Sequence, residues 1–358
     1  MVYEQILEFA PALVSVATAE AAERLERRLA ENGGPRPRVL SGPAGNLAVA
    51  TAEEVDTVVS AAVGVAGLEA TYEAVRLGKR VALANKEVMV AAGELVTRAA
   101  EKSGAELLPV DSEHNGVHQC LRGAGRREEV RRLILTASGG PFRNTPPAAL
   151  ASVTPEQALQ HPTWNMGRRI TINSATLMNK GFEVIEAHWL FGFEPAQIEV
   201  VIHPQSTVHA MIEFADGSVI AQLSVTDMKM PIQYALYYPE RRACPENRRL
   251  DWQDMRQWTF EPPDGDKFPA LGLAYRVLER GGSAGCTLNA ADEVAVAAFL
   301  EGRITFPAMA QVVAETLSTV PVTQPGSIAE VLEADRVSRR CAAEIVSRRQ
   351  VEAGAVAG

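Results

Sequence analysis

Short apolar runs alternate with helix-forming stretches through the first 140 residues of the chain. Apolar runs with the length of strands occur at residues 12–17, 38–40, 55–63, 80–84, 106–110 and 133–137. Stretches rich in helix formers occur at residues 3–9, 19–32, 68–77 and 88–102. Strands that alternate with helices predict βαβ units with right-handed crossovers, and therefore an α/β domain built on a parallel sheet.

The pattern changes after Pro141, where a series of prolines indicates a boundary into a second domain. Residues 175–190 have a helical pattern, and Ser174 would be the N-cap of that helix. Residues 198–225 alternate as β-structure does, with a hairpin turn at Asp216-Gly217, and their sheet is a candidate surface for dimerisation. Four helices at residues 268–280, 287–301, 305–318 and 327–348 then predict a C-terminal helical bundle.

Composition is typical of a soluble globular protein of two or three domains. The chain has 358 residues, of which 47% are hydrophobic and 22% charged. A net charge of -9 argues against nucleic acid or an anionic membrane as a partner, but leaves room for a local cationic pocket. The four cysteines are far apart, which predicts neither a disulfide framework nor a zinc site and fits a reducing cytoplasm. No secretory signal or membrane span is indicated.

A polar or glycine-rich cluster follows each of four predicted strands. The clusters are GVAG at 64–67, NKE at 85–87, DSEH at 111–114 and SGG at 138–140. Because the carboxyl ends of parallel strands meet along one edge of a sheet, we expect these clusters to lie together there. A sheet with a purely structural role has no need of this arrangement, so function should be sought at this edge.

The DSEH cluster contains a candidate metal site. Asp111 and Glu113 are carboxylates that could converge on a hard divalent cation such as Mg²⁺ or Mn²⁺. The alternative is an acidic helix N-terminus, in which they accept backbone N–H bonds. Lys86 would either hold an anionic oxygen or stay solvated. Ser138, followed by two glycines, would either approach a phosphate or form a tight turn.

Residues 161–167 form a candidate flap. Trp164, Met166 and a glycine in an irregular stretch are typical of a mobile segment that covers a substrate. A loop packed around its tryptophan is an equally good interpretation of the composition.

Residues 174–183 form a candidate phosphate site. The hydroxyl of Ser174, the amide of Asn179 and the ammonium of Lys180 are groups that bind phosphate. Glu183 would be a third metal carboxylate, or alternatively an ion-pair partner of Lys180 on the same helix.

Six longer motifs resemble a single enzyme family. They are LANKE at 83–87, LLPVDSEHN at 107–115, LTASGGPFR at 135–143, HPTWNMG at 161–167, NSATLMNKGFEVIEA at 173–187 and HPQSTVHAMI at 203–212. In this order they resemble 1-deoxy-D-xylulose 5-phosphate reductoisomerases, the NADPH-dependent enzymes of the non-mevalonate isoprenoid pathway. The resemblance covers essentially the whole chain.

The resemblance implies a V-shaped subunit of three parts and a homodimer in the cytoplasm. The parts are a Rossmann-like NADPH-binding domain at 1–110, an α+β catalytic and dimer-forming domain at 111–260, and a linker with a helical domain at 261–358. The implied reaction is a metal-assisted rearrangement of 1-deoxy-D-xylulose 5-phosphate, followed by hydride transfer from NADPH, which gives 2-C-methyl-D-erythritol 4-phosphate.

The resemblance also implies roles for individual residues. The ligands of Mg²⁺ or Mn²⁺ would be Asp111, Glu113 and Glu183. Catalytic residues would be Lys86, Glu113 and His161. The substrate would be bound by Lys86, Ser112, Glu113, Ser138, His161, Trp164, Ser174, Asn179, Lys180 and Glu183. The nicotinamide cofactor would contact Asn85, Glu87, Gly167 and Met228.

The sequence departs from the family pattern near its beginning. Family members open with a strand and a glycine-rich turn of the GSTGSIG type, which holds the cofactor pyrophosphate, and no such turn precedes Tyr3 in this chain. We therefore expect a truncated NADPH-binding domain with unpaired strand edges and weak NADPH binding. A smaller departure is Asn173, where the family usually has Asp, and its expected effect is modest.

Two functions of other classes remain open. One is a sugar-phosphate binder or isomerase that needs metal but performs no redox chemistry. The other is a catalytically silent oligomerisation partner, which the complete set of carboxylates and phosphate-binding groups argues against.

Overall fold

The structure is a computed structural model that describes residues 1–164, 166–253, 255 and 257–357, with side chains up to residue 350. The helices are α1 (Val2–Phe9), α2 (Ala19–Asn32), α3 (Gly42–Thr51), α4 (Leu68–Arg76), α5 (Lys86–Ser103), α6 (Ser112–Leu121), α7 (Pro155–Ala158), α8 (Arg168–Ala175), α9 (Met178–Phe191), α10 (Lys229–Tyr237), α11 (Ala270–Arg280), α12 (Ala284–Leu300), α13 (Phe306–Thr319) and α14 (Ile328–Ala357). The strands are β1 (Leu13–Val16), β2 (Arg38–Ser41), β3 (Thr57–Ser60), β4 (Arg80–Leu83), β5 (Leu107–Pro109), β6 (Val130–Ala137), β7 (Ile198–Ile202), β8 (Val208–Phe214) and β9 (Val219–Leu223).

The N-terminal part contains two small parallel sheets, which confirms the predicted alternation of strands and helices. β1 pairs with β2, and β3, β4 and β5 pair in that order. The second sheet packs on α4 and α5 through buried residues that include Leu68, Leu83 and Val88. In the described residues β1 and β3 each pair on one side only, as expected for unpaired strand edges, and Val59 of β3 is exposed.

The prediction that residues 133–137 continue this parallel sheet is wrong. β6 lies inside a separate mixed sheet with the order β7-β6-β8-β9, parallel to β7 and antiparallel to β8. β6 has eight residues, most of them buried, and needs a partner on both edges. The three-residue β5 is too short to serve, whereas β7 and the predicted hairpin of β8 and β9 provide both partners.

The prediction that Ser174 caps a helix at residues 175–190 is also wrong. α8 ends at Ala175, Leu177 adopts a left-handed conformation with φ of 61°, and α9 begins at Met178. Ser174 lies in the last turn of α8, where its hydroxyl donates to the backbone oxygen of Ile170 at 2.9 Å. The side chain therefore bonds backwards along its own helix and does not cap the next one.

The four predicted C-terminal helices are confirmed as α11 to α14. They share one core with the mixed sheet and α9, and this core includes Phe182, Leu133, Leu288, Phe299 and Val346. The predicted domain boundaries at residues 110 and 260 stay a prediction. The shared core shows that the predicted catalytic and C-terminal helical parts pack together. Helices α3, α8 and α10 were not predicted, and α6 was expected only under the alternative in which Asp111 and Glu113 begin a helix.

None of the described helices is both long enough and apolar enough to cross a membrane. Cys120, Cys244, Cys286 and Cys341 are free thiols in the structure.

Partly buried His118 on α6 gives folding stability a pH dependence. Its Nδ1 lies 2.9 Å from the hydroxyl of Tyr234, and burial, with the nearby Arg122 charge, lowers its pKa from 6.5 to about 4. The unfolded chain therefore takes up this proton first, so the contribution of neutral His118 is present above pH 6.5 and is lost as the pH falls towards 4. Through this group the wild-type protein should lose up to about 1.4 kcal/mol of its free energy of unfolding per pH unit as the pH falls through this window. We expect His118→Gln, which cannot take up the proton, to lack this part of the loss, measured by urea unfolding at a series of pH values. Parallel profiles for the two proteins would contradict this.

Gly140, after β6, allows the mixed sheet to approach α8 closely. Its φ is +67°, and an added methyl group would lie 2.8 Å from the backbone oxygen of Ser174 and 3.0 Å from Cα of Ala175. Gly104 is a matched control, because its φ is +76° but nothing lies within 4 Å. We expect Gly104→Ala to cost about 1 kcal/mol and Gly140→Ala roughly 3 kcal/mol in the free energy of unfolding, since only the second adds a backbone clash. Equal losses would show that the contact relaxes freely.

Candidate active site

A cavity of about 240 Å³ opens where β4, β5 and β6 end. The predicted site residues that line it are Lys86, Asp111, Ser112, Glu113, Ser138, His161, Trp164, Ser174, Asn179, Lys180, Glu183 and Met228. These side chains come from both the parallel and the mixed sheet, from α8 and α9, and from the segment at 161–167. The clusters that follow β4, β5 and β6 therefore lie together as predicted, but they come from two sheets and not from one. The GVAG turn at 64–67 lines neither this cavity nor the second one described below, contrary to expectation.

Helix caps place the two residues at the strand ends. Asn85 follows β4 and caps α5 by accepting from the amide of Val88 at 3.2 Å, which places Lys86 in the first turn. Asp111 follows β5 and caps α6 by accepting from the amide of Glu113 at 3.1 Å. The helix-cap interpretation of Asp111 is therefore correct. This capping role is compatible with metal binding, because it fixes the Asp111 carboxylate at the cavity wall.

Three carboxylates converge in the cavity. Asp111, Glu113 and Glu183 each place an oxygen within 4.8 Å of the others. Two lysines lie among them: Lys86 pairs with Asp111, and Lys180 pairs with Glu183 and, at 2.9 Å, with Glu113. Lys86 is 7% exposed, so the alternative of a solvated lysine is wrong. A set of hard oxygen donors fits a divalent cation, which would compensate the third carboxylate when all three are ionised.

Burial and neighbouring charges shift the pKa values of this cluster in opposite directions. Burial and the Asp111 and Glu113 charges raise the pKa of Glu183 to about 8. Burial also opposes the charge on Asp111, but the Lys86 ammonium holds the pKa of Asp111 well below its ordinary value. The carboxylates overcome the burial of the two lysines and raise their pKa values above the ordinary value. Without a metal, Glu183 is therefore the carboxyl that most readily takes up a proton.

The predicted phosphate-binding groups lie on the same cavity. Asn179 donates to Glu183 at 2.6 Å, and Lys180 also points at carboxylates, so the ion pair proposed as an alternative for Glu183 exists. Ser138 accepts from the amide of Gly140 at 3.3 Å, which is the tight turn proposed for it. Both local interpretations hold, and the role of these groups in phosphate binding stays a prediction.

His161 anchors the beginning of the candidate flap. Its Nδ1 accepts from the amides of Thr163 at 3.2 Å and Trp164 at 3.0 Å, and its Nε2 lies 3.1 Å from the hydroxyl of Ser138. Because backbone amides donate to Nδ1, the proton of the neutral ring is on Nε2. Burial lowers the pKa of His161, which favours the neutral ring, and its Nε2–H is directed at the Ser138 hydroxyl on the cavity wall. Trp164 is half-buried and lines the cavity, while Asn165 lies outside the described residues.

A second cavity of about 340 Å³ adjoins the first and shares Lys86, Ile170 and Asn179 with it. Three of the four predicted cofactor contacts line it, namely Asn85, Glu87 and Gly167. The fourth, Met228, lines the first cavity instead. Asn173 also lines the second cavity and donates to Asp292 at 2.8 Å.

Two histidines of the site lie in motifs that the sequence analysis singled out, but were given no role there. His209 on β8 is 3% exposed and lines the first cavity, and its Nε2 has no hydrogen-bond partner in the described part of the chain. The second histidine of the HPQSTVHAMI motif was the signal for it. His114 is buried behind Asp111, with its Nδ1 3.1 Å from Glu186 and its Nε2 2.8 Å from the Glu183 backbone oxygen.

Three family models match the chain in sequence order. "1-deoxy-D-xylulose 5-phosphate reductoisomerase" matches residues 1–93, and "1-deoxy-D-xylulose 5-phosphate reductoisomerase C-terminal domain" matches residues 107–191. "DXP reductoisomerase C-terminal domain" matches residues 223–341.

Relatives and solved structures agree with these models. The reductoisomerase of Solibacter usitatus is 63% identical over 96% of this chain and 87% of its own length, and that of Chlorobium phaeobacteroides is 51% identical over 97% and 89%. The Zymomonas mobilis reductoisomerase in complex with NADPH superposes with a TM-score of 0.89 at 41% identity, covering 96% of this chain and 88% of that one. A reductoisomerase in complex with NADPH, fosmidomycin and magnesium also has a TM-score of 0.89, at 38% identity over 97% of this chain and 88% of that one. The chain belongs to the 1-deoxy-D-xylulose 5-phosphate reductoisomerase family.

Proposed function

We propose that this chain converts 1-deoxy-D-xylulose 5-phosphate to 2-C-methyl-D-erythritol 4-phosphate with NADPH and Mg²⁺ or Mn²⁺, in non-mevalonate isoprenoid biosynthesis. The observation that carries the proposal is the convergence of Asp111, Glu113 and Glu183 with phosphate-binding groups in one cavity, beside a second cavity at Asn85 and Glu87. Membership of the family and the solved complexes of relatives with NADPH and magnesium support it.

Asp111, Glu113 and Glu183 would hold the divalent cation. A cation bound there would stabilise negative charge that develops on the substrate oxygens. Ser112 donates to Glu113 and orients that carboxylate, while Lys86 balances Asp111 and also faces the cavity. The Lys86 ammonium can thus stabilise charge on the polar part of the substrate without losing its own proton, because its pKa is raised.

Ser138, Ser174, Asn179 and Lys180 would hold the substrate phosphate. Their hydroxyl, amide and ammonium groups all line the cavity and are hydrogen-bond donors to phosphate oxygens. The binding energy of this remote group can be used to order the flap at 161–167 over the site. With Trp164 in place, the flap would exclude water from the intermediate aldehyde, and the Nε2 proton of His161 would be available to a substrate oxygen.

The second cavity would hold the nicotinamide end of the cofactor, which supplies the hydride when bound. Asn85 and Glu87 lie at its wall on α5, and Gly167 lies at the start of α8. Met228 lines the adjoining cavity, where it would contact the nicotinamide or the substrate. The expectation of weak NADPH binding stays a prediction, which a fluorescence titration with NADPH can test.

The edge strand β9 is the proposed place of a homodimer contact, and we also propose a cytoplasmic location, where free thiols stay reduced. Val219 and Ile220 on this edge are 49% and 37% exposed, and Ile232 and Leu236 on α10 are also exposed. An apolar edge strand with free backbone groups is a surface that a second copy can cover.

Replacing Glu113 tests the proposed reaction. We expect metal-dependent NADPH oxidation with 1-deoxy-D-xylulose 5-phosphate, followed by absorbance, to fall at least about 100-fold in Glu113→Gln, because the variant loses a metal ligand. Glu94→Gln is the control, since Glu94 is an exposed glutamate on α5. A wild-type protein that binds metal and sugar phosphate but oxidises no NADPH would instead be a binder or isomerase. Unchanged activity in Glu113→Gln would contradict the proposed metal site.

Charging the edge strand tests the homodimer. We expect Val219→Lys to raise the dimer dissociation constant at least about tenfold, because it places an unpaired charge in an apolar contact. Sedimentation equilibrium measures the constant, and Leu77→Lys controls for a lysine at another exposed apolar position. A wild-type monomer, or equal effects of both variants, would remove β9 as the interface.

A further inference from the structure

We propose that Arg169 is a positioning residue that fixes the end of the flap at 161–167, and that the C-terminal helices influence the reaction through it. Arg169 is the second residue of α8, directly after the flap. The kinetic part of this inference rests on the proposed function, whereas its structural part does not.

The guanidinium of Arg169 joins three parts of the chain. Nη1 donates to Glu87 at 2.8 Å and to Glu293 at 3.0 Å. Nη2 donates to Asn289 at 2.8 Å and to Asp292 at 3.2 Å. Glu87 is on α5 at the wall of the second cavity, and the other three acceptors are on α12. A planar fork with several donors suits this geometry, which the single ammonium of a lysine cannot reproduce.

A second contact fastens the same face of α8 one turn later. Asp292 accepts from Arg169 and also from Asn173 at 2.8 Å, and these two positions are i and i+4. Asn173 precedes Ser174, which lines the first cavity. The contacts of α12 with α8 thus extend from the end of the flap to the residue before Ser174 of the proposed phosphate site.

The two ends of the flap are held by different parts of the protein. At the beginning, His161 contacts Ser138 after β6 of the mixed sheet. At the end, Arg169 is bonded to α12. In the described residues neither cavity is lined by a residue of α11 to α14. Arg169 and Asn173, which line the second cavity, bond this wall to α12, in addition to the packing of the bundle on α9 and α5.

Arg169 also compensates the negative charge of the carboxylates around it. It lies among Glu87, Asp292 and Glu293, and Glu293 is further bonded to Arg339 of α14 at 2.7 Å. Arg169 is 17% exposed, so these charges are only partly screened by water. Without its guanidinium, Glu87 would face two carboxylates of α12 across the start of α8. The repulsion would push the start of α5 away from α12, and α8 would lose its bond to Glu87, so the walls of the second cavity would no longer be held together.

Hydrogen exchange tests the structural part. In Arg169→Met we expect amides of α8 and of the first turn of α5 to exchange at least tenfold faster, with β6 unchanged, because the loss is local. Arg348→Met is the matched control, since Arg348 pairs with Glu315 in the helical bundle far from the flap. Uniformly faster exchange, or no change in α8, would overturn the inference and leave Arg169 a general contributor to stability.

Steady-state kinetics with NADPH, Mg²⁺ and 1-deoxy-D-xylulose 5-phosphate test the effect on the reaction. We expect kcat/KM to fall 10- to 100-fold in Arg169→Met, mostly through KM, and less in Arg169→Lys, which keeps the charge. Glu293→Gln should give a smaller loss in the same direction, and the double variant should lose less than the product of the two. Strictly multiplicative losses, or a loss confined to kcat, would overturn the coupling. A wild-type protein without activity would contradict the proposed function, and the exchange experiment would still decide the role of Arg169.

Discussion

Three carboxylates buried beside two lysines are the interaction on which the rest of this structure depends. Asp111, Glu113 and Glu183 would repel one another strongly in a cavity with little water, and Lys86 and Lys180 compensate two of the three charges. Such a cluster is costly to bury, so it must be held by groups that cannot relax away from it. A divalent cation bound to the three carboxylates would compensate the third charge.

The fold supplies that rigidity through strand ends and helix starts. Lys86 and Asp111 each lie where a buried strand changes into a helix, and capping bonds fix the backbone at both points. Glu183 comes from α9, whose residues are buried on nearly all sides by the mixed sheet and the C-terminal helices. The positions of the carboxylates are thus set by core packing, and the charges do not have to organise the site by themselves.

Under the proposed function, the two adjoining cavities would separate the two tasks of the reaction. The proposed metal and phosphate ligands line one cavity, and three of the four proposed cofactor contacts line the other, with Lys86 and Asn179 on the shared wall. Described residues of the candidate flap line both cavities, and its two ends are attached to different parts of the chain. This attachment gives the C-terminal helices, which share a core with the mixed sheet, a physical connection to the chemistry.

The sequence by itself determined the α/β class, the hairpin, the C-terminal helices and most of the polar residues that line the first cavity. These features depend on local patterns: strand-length apolar runs, turn residues such as Asp216-Gly217, and polar groups placed at strand ends. Only the tertiary structure decided that β6 leaves the parallel sheet, that Ser174 ends one helix and does not begin the next, and that His209 points into the site. It also decided the partners of Arg169, three of which lie more than a hundred residues away on α12. Strand pairing, the direction of a side chain and long-range ion pairs depend on which distant segments pack together in the core. A local sequence pattern does not contain that information.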